Sequence, residues 1–357
     1  MVVNKIAYDP VGYVSYKDYM FLASKINMRL QNMIRYERFE QAIQTEDADM
    51  AARLIAEAGW PNMSGMTLDE IDKVLIERRN SIFKDIEQVC PETQVVEMMR
   101  LKYDYHNIKA IVKSDGAHEN AESMLSSTGR ITRTHLREDY LNNDYRDLPP
   151  IMAEALREAR DLMAKTQNPT AVDLLVDRYY FKEMFALVDE LEPNVEPETP
   201  MMAPEPGDAY GIKYVKRQID ETNLRTCVRV YRMGKTQEYL KGVLIEGGNY
   251  PVDQLASATF SGDGLANLFK QTPYYQAAVL GQEAMKGGAI TSFEKECAEA
   301  EIRYMANIRM MYFDARAVLW YLMIIEANIL NVRMVLAGLQ AGVAPEILKE
   351  RLRQTYV

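Results

Sequence analysis

The chain has 357 residues, of which 48% are hydrophobic and 26% are charged, a balance typical of a folded globular protein. Its formal net charge is −10, and the sequence contains no block of basic residues. This argues against nucleic acid as a partner, because proteins that follow a phosphate backbone concentrate Lys and Arg. Three scattered cysteines without a CxxC spacing argue against a disulfide framework.

The first ninety residues are predicted to form helices. An apolar stripe predicts one helix within 13–42, and a shorter helix is predicted over 47–58. Thr67 then precedes Glu70 by three positions, which is the spacing of a capping box at a helix start. We expect that helix to run to Val89.

The segment 94–113 is predicted to be a long helix, because its apolar residues recur every three or four positions. Near its middle lies a pattern that returns twice later in the chain. The pattern is an asparagine, an aliphatic residue and a cation: Asn107-Ile108-Lys109, Asn223-Leu224-Arg225 and Asn331-Val332-Arg333.

The three asparagines are 116 and 108 positions apart, and each interval is close to a third of the chain. A motif at nearly equal intervals indicates an internal repeat. We therefore expect three helical repeats, over residues 1–125, 126–249 and 250–357.

The rest of the chain is also predicted to be helical. Residues 192–207 are the exception: they contain five prolines among acidic residues and are expected to form an exposed insertion. No segment has a convincing strand pattern, so the predicted fold class is all-α. The longest apolar run, 317–325, has nine residues, against the ~20 that a membrane-spanning helix needs, so no transmembrane segment is expected. Further helices are predicted over 132–142, 150–165, 171–191, 211–231, 239–246, 291–312 and 315–339, with a short one from Pro345.

No catalytic or metal-binding motif stands out. Gly234, Lys235 and Thr236 resemble the end of a phosphate-binding loop, but Arg229 occupies the position of that loop's first glycine. We interpret Gly234 as a glycine that ends a helix. Acidic clusters lie near predicted helix starts, where they meet the helix dipole favourably. We expect no cofactor, no metal, no small-molecule substrate and no enzymatic activity; a helical enzyme with a carboxylate-bound metal is the minor alternative.

The repeated tripeptide has two interpretations. In the structural one, the aliphatic residue belongs to the core, and the asparagine caps or bridges a crossing helix. In the functional one, the polar residues face a shared central space and contact a partner there. The residues concerned are Asn107, Lys109, Asn223, Arg225, Asn331 and Arg333.

Over essentially its full length the chain resembles a known family, the C subunits of the rotary V/A-type ATPases, whose eukaryotic members are called d subunits. The segment 321–333 leads into Gly338, Gly342 and Pro345, and this is similar to the family's C-terminal signature. The segment 101–109 looks like its first-repeat version. The chain departs from the pattern in having apolar residues at 327–330, apart from Asn328, and in its proline-rich insertion.

The resemblance implies a funnel of three similar helical bundles with pseudo-threefold symmetry around a central cavity. It implies a non-catalytic central-stalk subunit on the cytoplasmic face of the membrane. Such a subunit links the rotor shaft subunits of the soluble V1/A1 sector to the proteolipid ring of the membrane sector. A helical-repeat scaffold or tether without a rotary role is the alternative.

Overall fold

The computed structural model describes residues 16–117, 121–189, 210–308 and 315–355. Within these ranges the chain forms α-helices and one short 3₁₀ turn, and no strand. The predicted all-α fold class is therefore confirmed. The proline-rich insertion predicted at 192–207 lies outside the described residues.

The N-terminal part folds into α1 (Tyr16–Leu30), α2 (Tyr36–Gln44), α3 (Ala48–Glu57), α4 (Leu68–Glu87) and α5 (Gln94–Ala117). The capping box at the start of α4 is present as predicted. The Thr67 hydroxyl accepts from the Glu70 N–H, and the Glu70 carboxylate accepts from the Thr67 N–H at 2.8 Å. This reciprocal pair satisfies two N–H groups that a helix start leaves without intrahelical partners.

The prediction of one helix within 13–42 is wrong, because the chain breaks between α1 and α2 at residues 31–35. Contacts from elsewhere in the chain hold this break. The side-chain amide of Asn328 bonds both the N–H and the carbonyl of Ile34, at 3.3 and 3.1 Å. The Trp60 indole donates to the Asn32 carbonyl at 3.3 Å. Tertiary hydrogen bonds thus override a helical pattern that is continuous in the sequence.

The remaining helices follow in two groups. The first is α6 (Arg133–Asn142), α7 (Pro150–Thr166), α8 (Pro169–Asp189), α9 (Tyr210–Arg232) and α10 (Gln237–Val243). The second is α11 (Val252–Thr259), α12 (Gly264–Leu268), α13 (Tyr275–Met285), α14 (Ile290–Ile308), α15 (Ala315–Gln340) and α16 (Pro345–Arg351). Gly234, just after α9, has a φ of 63°, which confirms its interpretation as a glycine that ends a helix.

The helices α5, α9 and α15, which carry the repeated asparagines, pack in parallel ways. Helix α5 contacts α7 and α8, and α9 contacts α11, α13 and α14. Helix α15 contacts α2, α3 and α4. Helices α5 and α9 therefore each pack against helices of the following repeat. Helix α15, in the last repeat, packs against helices of the first.

Helix α15 is long and apolar enough to cross a membrane by length and composition. The sequence criterion of an unbroken apolar run did not detect this, because Glu326, Asn328 and Asn331 interrupt the run. Most of the helix is nevertheless buried inside the protein: Trp320, with no exposed surface, is among the largest buried side chains. Helices α2, α3, α4, α5 and α14 all contact it.

Candidate partner-binding site

The three repeated asparagines are buried, and each makes the same pair of hydrogen bonds. Asn107 donates to the Ser126 carbonyl at 2.9 Å and accepts from the Ser126 N–H at 2.7 Å. Asn223 does the same with Ile245, at 2.7 and 2.9 Å. Asn331 does so with Arg353, at 2.9 and 3.0 Å.

Each asparagine thus clamps the backbone of a residue 19 to 22 positions further along the chain. The side-chain amide satisfies a donor and an acceptor that would otherwise lack partners close to the core. This geometry agrees with the structural interpretation of the repeat, in which the asparagine bridges two segments. It also leaves the amide groups themselves without an exposed face, since the three residues are at most 1% exposed.

A second polar residue stands three positions before each asparagine, and the sequence analysis missed it. Asp104 accepts from the Ile131 N–H at 3.2 Å, and Asp220 accepts from the Asn249 N–H at 2.9 Å. The third member is Asn328, which bonds the backbone of Ile34. The available signal was an Asp or Asn one helical turn before each asparagine, on the same helix face.

The three cations of the repeat form ion pairs between helices. Lys109 on α5 lies 2.6 Å from Asp177 on α8. Arg225 on α9 lies 2.7 Å from Glu294 on α14, and Arg333 on α15 lies 2.7 Å from Asp72 on α4. We call these helix contacts the first seam (α5–α8), the second seam (α9–α14) and the closing seam (α15–α4). The cations remain partly open to solvent, with side chains 23%, 26% and 50% exposed in the order given.

Each seam contains a second, more buried polar contact. In the first seam the Tyr105 hydroxyl donates to Glu183 at 2.7 Å, and in the second Arg217 makes a bidentate pair with Glu301. In both, the asparagine-bearing helix supplies the donor and the facing helix supplies the carboxylate. In the closing seam these roles are exchanged: the carboxylate, Glu326, is on the asparagine-bearing helix α15 and lies 3.0 Å from Arg79 on α4.

Lys102, Arg225 and Arg353 form a set that we call the cationic cluster. The Lys102 side chain is 40% exposed, yet burial by surrounding protein lowers its pKa; Glu326, 3.6 Å away, opposes this and Arg353 adds to it. Burial also lowers the pKa of Arg353, and Arg225 adds to that effect by repulsion. The charges of α5, α9 and the C-terminal tail therefore act on one another within this cluster.

Glu221 lies beside this cluster and pairs with Arg225 at 2.7 Å. Burial raises the pKa of the Glu221 carboxyl to about 7, although the charge of Arg225 opposes the shift. The four described ranges contain no group of three or more His, Cys, Asp or Glu side chains that could hold a metal ion. The chemistry of this region is that of clustered acidic and basic side chains.

The fold and the repeated clamps define an all-α protein built on a threefold repeated motif. The family described as ATP synthase (C/AC39) subunit matches residues 22–351, and the chain belongs to this family. It is 22% identical over 351 residues to the C subunit of the V-type sodium ATPase of Enterococcus hirae, covering 95% of this chain and 99% of that protein. It is 21% identical over 322 residues to the C subunit of the V-type ATP synthase of Thermus thermophilus, covering 83% of this chain and 95% of that protein.

These comparisons confirm the predicted family and identify the chain as a subunit of a rotary ATPase. Members of this kind are accessory subunits, so the chain is not an enzyme. The partners are correspondingly other subunits of such a complex. The seams and the cationic cluster are the features of this chain that bear on how it contacts those subunits.

Proposed function

We propose that this chain is the central-stalk subunit that couples the rotor shaft of a V/A-type ATPase to the proteolipid ring of its membrane sector. It performs no chemistry and transmits torque between the two. It acts at the cytoplasmic face of the membrane as a peripheral subunit. The single observation that carries this proposal, beyond family membership, is the series of three matching seams.

The seams suggest how three helical bundles with pseudo-threefold symmetry form a funnel. Each seam joins an asparagine-bearing helix to a helix of the following repeat, and the closing seam returns from α15 to α4. A chain whose last repeat pairs with its first forms a closed arrangement, which resists twisting better than an open one. The repeats run over 1–125, 126–249 and 250–357 in sequence, while the packed bundles straddle these boundaries.

The surface for the shaft is the wall of the central cavity, where the cations of the repeat and the cationic cluster lie. The buried asparagines position this wall, and Lys109, Arg225 and Arg333 supply its charge. An acidic helix of the shaft would find these cations already oriented by their ion pairs. Because the cations are only partly exposed, the shaft shares them with Asp177, Glu294 and Asp72.

The test must separate partner binding from fold, because a carboxylate at position 333 would lie against Asp72 and disrupt the closing seam. The swap Arg333→Asp with Asp72→Arg keeps the ion pair and moves the cation from α15 to α4. The swap Lys241→Asp with Asp253→Lys is a matched control, because that pair lies at a similar distance, 2.6 Å, and its carboxylate is more exposed.

Binding of the purified shaft subunits to each variant gives the readout. We expect the 333/72 swap to keep the free energy of unfolding within about 1 kcal/mol of the original and to weaken shaft binding at least ten-fold. The 241/253 swap should leave binding unchanged. Full shaft binding by the 333/72 swap would exclude position 333 from the contact.

The alternative is a helical scaffold without a rotary role. Purification of the tagged chain from detergent-solubilised membranes separates the two functions. A coupling subunit is expected to bring both shaft subunits and proteolipid in constant ratio. A scaffold would bring one of them at most.

A further inference from the structure

Arg78, on the outer part of α4, is held in place by an aromatic ring. Its guanidinium carbon lies 4.1 Å from the centre of the Trp60 ring, which is a cation–π distance. Trp60 is itself fixed, since it is 4% exposed and its indole N–H donates to the Asn32 carbonyl. The Trp60 ring therefore fixes the orientation of the Arg78 guanidinium group in the absence of a ligand.

Arg78 has no hydrogen-bond or ion-pair partner in the described part of the chain. Its Nε is buried without a hydrogen-bond partner, and the residue as a whole is half-buried. The neighbouring Arg79 differs in this respect, because it pairs with Glu326 at 3.0 Å. A partly desolvated guanidinium without a counter-charge is costly, and proteins commonly pair such groups with an anion.

The charged group nearest in effect to Arg78 is another arginine. Burial lowers the pKa of Arg78, the charge of Arg29 lowers it further, and only Tyr321 opposes these effects. Arg29 is paired with Asp85 at 2.7 Å. The charge of Arg29 on α1 thus acts on Arg78 on α4, and the carboxylate of Asp85 pairs with Arg29.

The surface beside these arginines is apolar. Met28, next to Arg29 in the chain, is 67% exposed, and Met20 and Phe21 on the same helix are 52% and 67% exposed. Positions 21 and 28 lie on one face of α1, because they are separated by about two helical turns, and position 20 lies at the edge of that face. Helix α1, which carries Arg29, therefore also presents exposed apolar side chains.

We propose that Arg78, held over the Trp60 ring, binds a phosphate group, with Arg29 as a second cation for it. A guanidinium presents parallel N–H donors that match a phosphate in a bidentate manner, and a tetrahedral oxyanion offers further oxygens to a second arginine. The phosphate has two possible sources, a free phosphate ion or the headgroup of a phospholipid. The exposed face of α1 is suited to contact the apolar part of such a lipid.

The first experiment titrates the full chain with inorganic phosphate at constant ionic strength and follows tryptophan fluorescence. Trp60 lies directly under the proposed site, whereas Trp320, the other tryptophan, is fully buried. Acetate and chloride serve as comparison anions. The variants are Arg78→Gln, Arg78→Lys and, as a matched control, Arg157→Gln. Arg157 also stands over an aromatic ring, that of Tyr145 at 5.7 Å, but it is exposed.

We expect a saturable change with phosphate that acetate and chloride do not reproduce. Arg78→Gln should weaken phosphate binding at least ten-fold, and Arg157→Gln should leave it unchanged. Arg78→Lys keeps the charge but loses the fork, so it should bind several-fold more weakly and serves as the decisive variant if Arg78→Gln fails to fold by circular dichroism. Equal phosphate affinity in the Arg78 variants and the original would overturn the proposal, and so would the absence of saturation. Tighter binding of acetate than of phosphate would also overturn it, since a carboxylate would then be the better ligand.

The second experiment identifies the source of the phosphate. Vesicles of phosphatidylglycerol and phosphatidylcholine are sedimented with the chain, and vesicles of phosphatidylcholine alone are the comparison. Sedimentation that is lost in both Arg78→Gln and Met28→Ser identifies a lipid headgroup as the ligand. Phosphate binding in solution without Arg78-dependent sedimentation identifies a free phosphate. Both results support the site and differ only in its ligand.

Discussion

The second seam and the closing seam are both held by an ion pair between two helices, but the paired residues are separated by very different lengths of chain. Arg225 and Glu294 are 69 positions apart, whereas Arg333 and Asp72 are 261 positions apart. Both seams place a cation of α9 or α15 against a carboxylate of the facing helix. They differ at the second contact, where Arg217 meets Glu301 in one and Glu326 meets Arg79 in the other.

The comparison shows that both seams keep a buried ion pair five or six positions before the asparagine, with the signs of its charges exchanged. An ion pair between two helices is equally satisfied when its members change places. The closing seam also carries an additional entropic cost, because the loop that it closes is nearly four times longer. The dependence on the logarithm of loop length makes this about 1 kcal/mol.

The largest effect is expected from removing the buried carboxylate of either seam. Glu301→Ala removes the bidentate partner of Arg217, and Glu326→Ala removes the carboxylate that pairs with Arg79. A buried ion whose partner is removed costs about 3–5 kcal/mol, so each variant should lose that much free energy of unfolding in urea. Losses below about 1 kcal/mol would mean that these arginines find water or other partners.

The two variants should differ in which helices are destabilised. In amide exchange, Glu326→Ala should increase opening in α2, α3 and α4 together with α15. Glu301→Ala should increase opening in α13 and α14 and leave α2 and α3 protected. Identical exchange patterns would show that the seams do not act separately.

The clamps provide the next comparison. Asn223→Ala leaves the N–H and the carbonyl of buried Ile245 without partners, and chain on both sides prevents that segment from leaving. Each unsatisfied buried group costs about 1–3 kcal/mol, so the expected loss is about 2–4 kcal/mol. Asn331→Ala should cost less, about 1 kcal/mol, because its bonds to Arg353 are only partly buried and the freed backbone groups are closer to water. Urea unfolding of both variants measures the difference, and a larger loss for Asn331→Ala would reverse the interpretation.

Glu221 gives the second seam a dependence on pH. Its carboxyl keeps a proton up to about pH 7 in the folded protein, whereas in the unfolded chain it loses the proton near its ordinary value of 4.5. The folded state therefore binds more protons between these values, and the free energy of unfolding falls as pH rises through this window. The fall due to this group should be about 2–3 kcal/mol.

The measurement compares the original chain with Glu221→Gln at pH 5, 6 and 7. The amide cannot titrate but still accepts a hydrogen bond from Arg225, so the variant should lose this part of the pH dependence. Arg229 provides the control, since Arg229→Gln alters an exposed partner of Glu294 without removing a titrating carboxyl. Parallel pH profiles for the original and Glu221→Gln would contradict the assignment.

The smallest effect is expected from the exposed ion pair of the closing seam. Arg333 and Asp72 have side chains 50% and 33% exposed, and such pairs contribute between about 0 and 1 kcal/mol. A double-mutant cycle with Arg333→Gln and Asp72→Asn should give a coupling energy in this range. A coupling above about 2 kcal/mol would show that the seam is much less solvated than its exposure indicates.

The sequence was informative where the structure depends on local patterns. The helical stripes, the Thr67 capping box and Gly234 all report contacts within a few residues, so they were predictable. The equal spacing of Asn107, Asn223 and Asn331 indicated a repeat, since each makes its clamp within 22 positions. Helices α11 to α13 were not predicted, because they are short and rich in small residues that leave a weak apolar stripe.

Features that depend on distant contacts could not be derived from the sequence. The break at 31–35 exists because Asn328 and Trp60 bond its backbone, and no local pattern announces either partner. The ion-pair partners of Lys109, Arg225 and Arg333 lie 68 to 261 positions away. In the closing seam the acid and the base have changed places, so a comparison of residue types between the repeats does not reveal that Glu326 and Arg79 correspond to Arg217 and Glu301.

The bond between Asn328 and Ile34 has a consequence for how the protein is made. The two residues are 294 positions apart, and a ribosome adds about 5–20 residues each second. The segment around Ile34 therefore leaves the ribosome about 15–60 seconds before Asn328 is synthesised. During that interval the apolar surfaces of α2, α3 and α4 that α15 later covers lack this native partner.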